Sequence, residues 1–225
     1  MVVAVLGIGD SPDDQCATWR DIVGARAFVL CPRGAPNFVV EAPEDAGAER
    51  EAEGDPPGDE DPRRDASPTG PSRRQVGFFP VDLSSVDREV KASLAALKAR
   101  YGAYVAEREV LYAGFSRGAF LGASLAARSP ERFRRLVLVE GGQTPWNPGA
   151  ASAFARGGGA RVLFACGQPK CVEDAEAAAS TLRAAKIEAR VVHGAGEGHG
   201  YRRQVKEEIR RSLSWIVDGD PAWRD

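Results

Sequence analysis

Ser116 is the residue with the clearest capacity for chemistry. It sits in Gly114-Phe115-Ser116-Arg117-Gly118, between the apolar run Val110-Leu111-Tyr112-Ala113 and the Ala- and Leu-rich stretch that begins at Ala119 and ends at Ala127. β-Branched and aromatic residues before the turn suit a buried strand, and the Ala/Leu composition after it suits a helix packed on a sheet. A sharp strand-to-helix turn holds a serine hydroxyl above the strand ends, and glycines on both flanks let the backbones pass without Cβ clashes.

A serine hydroxyl at neutral pH needs a base for its proton, a carboxylate to orient that base and N–H donors for an oxyanion. The chain offers two histidines, His193 and His199. His199 lies in Gly194-Ala195-Gly196-Glu197-Gly198-His199-Gly200, a glycine-rich loop that can bring an imidazole to a sheet edge, whereas His193 ends an apolar run. His199 is therefore the candidate base. The Gly7-Ile8-Gly9 turn after the first apolar run also raises a dinucleotide-binding reading. It lacks the third glycine of that fingerprint, and no acidic residue ends the second run, which stops at Cys31-Pro32.

Together, Gly114-Phe115-Ser116-Arg117-Gly118 and the distant Gly198-His199-Gly200 resemble an α/β-hydrolase of the compact esterase or dienelactone-hydrolase type, over nearly the whole chain. The resemblance implies a Ser, acid, His order, with the acid usually in the loop after residues 161–165. That place reads Gln168-Pro169-Lys170-Cys171-Val172, with no carboxylate before Glu173 and Asp174, which fall in a predicted helix start where acids favour the dipole. The second place used in the family follows the strand after the nucleophile helix, and there stands Glu140, followed by two glycines. A carboxylate at a buried strand end needs a partner, and His199 would supply it. Glu140 is thus the first choice of acid, with Asp174 or Glu173 as the alternative and a chain without an acid as the third. The resemblance further implies an oxyanion hole from the backbone N–H of Arg117 and one from Ile8 or Gly9. The Arg117 side chain would meet either an anionic substrate group or a neighbouring carboxylate. The implied activity is serine-esterase hydrolysis of a small-molecule acyl substrate without a cofactor. A silent binding protein of the same fold and an acyltransferase using the same serine are the competing readings.

Six runs alternate with helical patterns to position these residues: residues 2–6, 27–31, 110–113, 136–139, 160–165 and 189–193. Helical stretches are predicted at 16–23, 81–101, 119–127, 174–186 and 201–217, and a long Gly/Pro-rich loop follows Glu140-Gly141-Gly142. This order predicts an α/β three-layer sandwich with a mostly parallel sheet of about six strands, the α/β-hydrolase fold, in a single domain over residues 1–225. Residues 41–75 interrupt it with Glu, Asp, Pro, Gly and Arg and few apolar residues, and read as a disordered acidic insertion with no chemistry.

At 225 residues the chain can bury a substantial core, and 43% hydrophobic with 28% charged residues is ordinary for a globular protein. A net charge of -2 gives no reason to expect nucleic acid, and no stretch is long enough for a membrane span. The apolar opening, residues 1–8, is too short and lacks the basic flank of a signal segment, which makes the cytoplasm the default location. Cys16, Cys31, Cys166 and Cys171 form no zinc pattern. Two disulfides among them would point to an oxidising compartment and export, and four buried thiols to the cytoplasm.

Overall fold

The computed structural model describes residues 1–40, 75–105 and 110–223. Its main sheet has six parallel strands: β1 (Val2–Val5), β2 (Val29–Leu30), β5 (Leu111–Phe115), β6 (Arg135–Val139), β7 (Arg161–Cys166) and β8 (Glu188–His193). Their spatial order is β2-β1-β5-β6-β7-β8. All six coincide with the apolar runs of the sequence, because strands covered on both faces read as continuous hydrophobic stretches.

Alternate residues feed two cores. Val3, Val5, Tyr112, Leu136, Leu138, Val162 and Phe164 pack under α2 (Leu83–Tyr101), α3 (Arg117–Arg128), α4 (Pro148–Arg156) and α5 (Pro169–Ala184). Val2, Ala4, Leu111, Ala113, Val137, Val139 and Leu163 pack under α1 (Pro12–Val23) and α6 (Gln204–Val217). Because α1 and α3 cover opposite faces, the chain leaves the adjacent strands β1 and β5 in opposite directions, which opens a crevice at their carboxyl ends. Open α/β sheets bind ligands at such a switch point.

Three features differ from the sequence expectation. An antiparallel pair, β3 (Ala35–Val40) and β4 (Gln75–Phe79), flanks the acidic segment and is tied to the β1 loop by an Asp10–Phe78 bridge. The predicted insertion itself lies outside the described residues, apart from Gln75, which opens β4. The Gly/Pro-rich stretch after β6 contains α4, with Pro148 in its first turn and the Asn147 side chain accepting the Ala150 N–H at 2.9 Å. Finally, α5 starts at Pro169, which puts Glu173 and Asp174 in its second turn.

The β5–α3 turn shows why its glycines are needed. Ser116 has φ 51°, in the left-handed region that L residues rarely occupy. A Cβ on Gly118 would lie 2.3 Å from the Val5 carbonyl oxygen, and one on Gly114 would lie 2.6 Å from the Ala119 nitrogen. Only bare backbones let α3 start this close to β1 and β5. The Tyr112 hydroxyl then donates to the Gly118 carbonyl at 2.7 Å within the core.

All four cysteines are paired, as Cys16–Cys31 and Cys166–Cys171. The first joins α1 to the end of β2, and the second joins the end of β7 to the first turn of α5. Closing loops of these lengths stabilises the fold by about 3 and about 2 kcal/mol in the chain-entropy account.

Two outcomes follow. Thiol titration of the unfolded, unreduced protein finds no free cysteine. Gly118→Ala, which must push backbone apart, costs about 2 kcal/mol and lowers the melting temperature by about 4–8 °C in calorimetry.

Candidate active site

The carboxyl edge of the sheet is built by register. Phe115 pairs with Val139 and Val139 with Ala165, so Ser116 and Glu140 leave neighbouring strands at the same height. Each is held by the next strand: Ser116 donates its N–H to the Val139 carbonyl at 2.8 Å, and Glu140 donates to the Ala165 carbonyl at 3.0 Å. Glu140 also has a positive φ, 50°. Gly141 lies so close that a Cβ there would sit 2.6 Å from the Ser116 carbonyl oxygen.

The Glu140 side chain is only 1% exposed. A carboxylate so far from water must be met by donors, or it costs several kcal/mol. Oε1 accepts the Gly167 N–H and, at 3.2 Å, the Gln168 N–H. Oε2 accepts from Gln168 Nε2 at 2.7 Å and lies 3.1 Å from His199 Nδ1. Sequence reasoning missed Gln168. Its place in a stretch that lacks a carboxylate was the available signal.

His199 is half-exposed at 49% of its side chain, with the Phe115 ring 5.1 Å from its own, centroid to centroid. Its glycine-rich loop is anchored at both ends. Glu197 Oε1 accepts the Arg202 and Arg203 N–H groups and Oε2 accepts the Val205 N–H at 2.7 Å, which satisfies the first turn of α6. Gly198 rests on Gly167, where a Cβ would lie 2.3 Å from the Gly198 carbonyl oxygen. Tyr201, two residues on, is buried and bonds Gln15 Oε1. Burial, and then the Asp10 carboxylate, holds its phenol well above the usual range.

The structure thus brings Glu140 and His199 together, at the sheet edge where Ser116 also leaves its strand. Among the described residues no hydrogen bond involves the Ser116 hydroxyl, which does not cap α3 either. Glu173 and Asp174 stand on the outer surface of α5, paired with Lys170 at 3.2 and 3.0 Å. His193, at the end of β8, is exposed. The Arg117 guanidinium is not tied to a neighbouring carboxylate: it donates to the Pro80 and Val81 carbonyls at 2.9 and 2.6 Å. Gly9 donates its N–H to the Phe78 carbonyl at 2.9 Å, whereas the Ile8 N–H has no partner among the described residues.

Two cavities are notable, and His199 lines the first of them. One, of about 430 Å³, is lined by Phe115, His199, Tyr201, Asp10 and Arg202. Arg202 is neutralised there by Asp10 and Asp14 at 2.8 and 3.2 Å. The other, of about 380 Å³, is lined by Gln143, Thr144, Trp146 and Asp174. Trp146 is also packed on Phe154, with ring centroids 5.3 Å apart. The one metal-spaced grouping among the described residues is Glu140, Cys166 and Cys171, and its two sulfurs are bonded to each other, which removes the thiolates a metal needs. No described helix is long and apolar enough to cross a membrane.

No family model and no curated protein matches the chain. Solved structures do. The structure of SOBER1 from Arabidopsis thaliana is similar with a TM-score of 0.59 at 16% identity, covering 96% of this chain and 98% of that one. Esterase PE8 matches with a TM-score of 0.57 at 20% identity over 96% and 91% of the two chains. The carboxylesterase of Bacillus cereus matches with a TM-score of 0.57 at 16% identity over 96% and 88%. At such identities the likeness is one of fold. With its parallel six-stranded sheet, helices on both faces and a serine on the β5–α3 turn, the chain has the α/β-hydrolase fold.

Proposed function

We propose that the protein is a serine hydrolase that cleaves an ester or related acyl bond of a small molecule, with Ser116 as nucleophile, His199 as base and Glu140 as the acid that orients it. The observation that carries this reading is the 3.1 Å contact between His199 Nδ1 and a buried Glu140 carboxylate, next to a serine on a strained strand-to-helix turn. Nδ1–H facing a carboxylate leaves Nε2 bare to accept a proton.

In this mechanism His199 Nε2 takes the Ser116 hydroxyl proton as Oγ bonds the acyl carbon, and the carbonyl electron pair moves onto its oxygen. The N–H groups of Arg117, at the start of α3, and Ile8 hold that oxyanion; the Gly9 N–H is spent on Phe78. The intermediate collapses, the leaving alcohol takes the proton from His199, and water repeats the sequence on the acyl-enzyme. Glu140 stabilises the imidazolium in both halves. The esterase names among the fold neighbours favour the same chemistry. Two disulfides fit a protein that works in an oxidising compartment.

The unbonded Ser116 hydroxyl is what a non-catalytic binding protein of this fold would share. Intact-mass labelling with a fluorophosphonate separates the two. A hydrolase gains one adduct, which is lost in Ser116→Ala and forms at least about a hundredfold more slowly in Glu140→Ala. An unlabelled wild type would sink the hydrolase reading in favour of the binding protein.

A further inference from the structure

We propose that Gln168 is a positioning residue for the Glu140–His199 pair: it clamps the carboxylate so that a single lone pair of Oε2 is left for His199 Nδ1. The inference rests on the reading of His199 as base and goes beyond it in assigning the group that sets the geometry of its acid.

The carboxylate has three N–H donors and His199 Nδ1 around it, and Gln168 provides two of the three. Its backbone N–H lies 3.2 Å from Oε1, next to that of Gly167, and its side-chain Nε2 lies 2.7 Å from Oε2. A carboxylate held on both oxygens cannot turn about its terminal torsion without breaking a charge-assisted bond. The amide is oriented with its NH₂ toward Glu140, since the reverse orientation would set a carbonyl oxygen against a carboxylate oxygen.

The same Nε2 lies 3.0 Å from His199 Nδ1. Two protonation patterns meet this spacing. If Nδ1 were bare, Gln168 would donate to it, the ring proton would sit on Nε2, and the imidazole could not accept from serine. If Nδ1 carries the proton, both N–H groups point at Oε2. An ionised oxygen is the stronger acceptor, and the shorter of the two Gln168 contacts is the one to Oε2. The geometry therefore points to two donors sharing Oε2, with His199 in the tautomer that general-base chemistry requires. The clamp is itself held in place: Cys166 and Cys171 are bonded across the loop that carries Gly167 and Gln168, and Pro169 starts α5 directly after it.

The test uses the full chain, ¹⁵N-labelled, with the imidazole resonances assigned by comparison with His193→Gln. Gln168→Met removes both side-chain donors at nearly constant length and keeps the backbone N–H; Gln168→Leu is the second variant. The expected result is an Nδ1-protonated His199 in the wild type. Its downfield Nδ1–H signal moves further downfield in both variants as His199 becomes the sole side-chain donor to Oε2. Turnover of p-nitrophenyl acetate falls about tenfold in kcat with KM unchanged, the loss of one charge-assisted bond to a group that does not touch substrate. An Nε2-protonated His199 in the wild type, or a signal that neither variant moves, overturns the proposal. The spectra need no turnover, so a wild type inert toward fluorophosphonate would remove the hydrolase reading while the Gln168 question is still answered.

Discussion

The site depends on one buried charge. Glu140 places a carboxylate at the carboxyl edge of the sheet where its side chain is 1% exposed, and two neighbouring loops meet both of its oxygens. Gly167 and Gln168 approach from the end of β7, and His199 comes in from the loop before α6. Removing one partner from a buried ion costs more than the contact is worth when present, because the remaining charge is left without solvent. The three loops are therefore coupled: none can move alone without exposing or orphaning the carboxylate.

Backbone strain sits at the same edge. Among the described residues three non-glycines have positive φ, and two of them, Ser116 and Glu140, are the first residues beyond adjacent strands. Such conformations cost on the order of 1–3 kcal/mol each and persist only where surrounding structure over-determines them. Here it does: each residue is hydrogen-bonded to the carbonyl of the neighbouring strand, and α3 is pressed against β1 and β5 through Gly114 and Gly118. Both residues lie at the same edge of the sheet, where Phe115 and Val139 are paired.

The His199 loop shows how a glycine-rich segment becomes a fixed one. Glu197 spends its carboxylate on three backbone N–H groups at the start of α6, Tyr201 is locked under Phe115 with ring centroids 4.7 Å apart, and Gly198 lies on Gly167. Gly167 contributes close approach, since any side chain there would displace the loop that carries the imidazole, whereas Gly196 and Gly198 contribute positive φ, 83° and 71°.

The sequence by itself determined the sheet and the serine turn, and it narrowed the candidate bases to two histidines. Strands buried on both faces must be apolar throughout, and a serine between close-packed glycines leaves few other folds, so both are written locally. The β3–β4 pair was not legible because a two-stranded ribbon containing Pro36 lacks that pattern, and α4 was hidden behind prolines that turned out to start it. Only the tertiary structure decided which carboxylate faces His199. Glu140, the first choice from sequence, is 59 residues from it, and the contact itself, with Glu173 and Asp174 carried to the outside of α5, is seen only in the fold. The cysteine pairing, the commitment of the Gly9 N–H to Phe78 and the part of Gln168 belong to the same class. Apart from the local Cys166–Cys171 bridge, each is a contact between segments distant in sequence, brought together by the packing of the whole sheet rather than by any one segment of the chain.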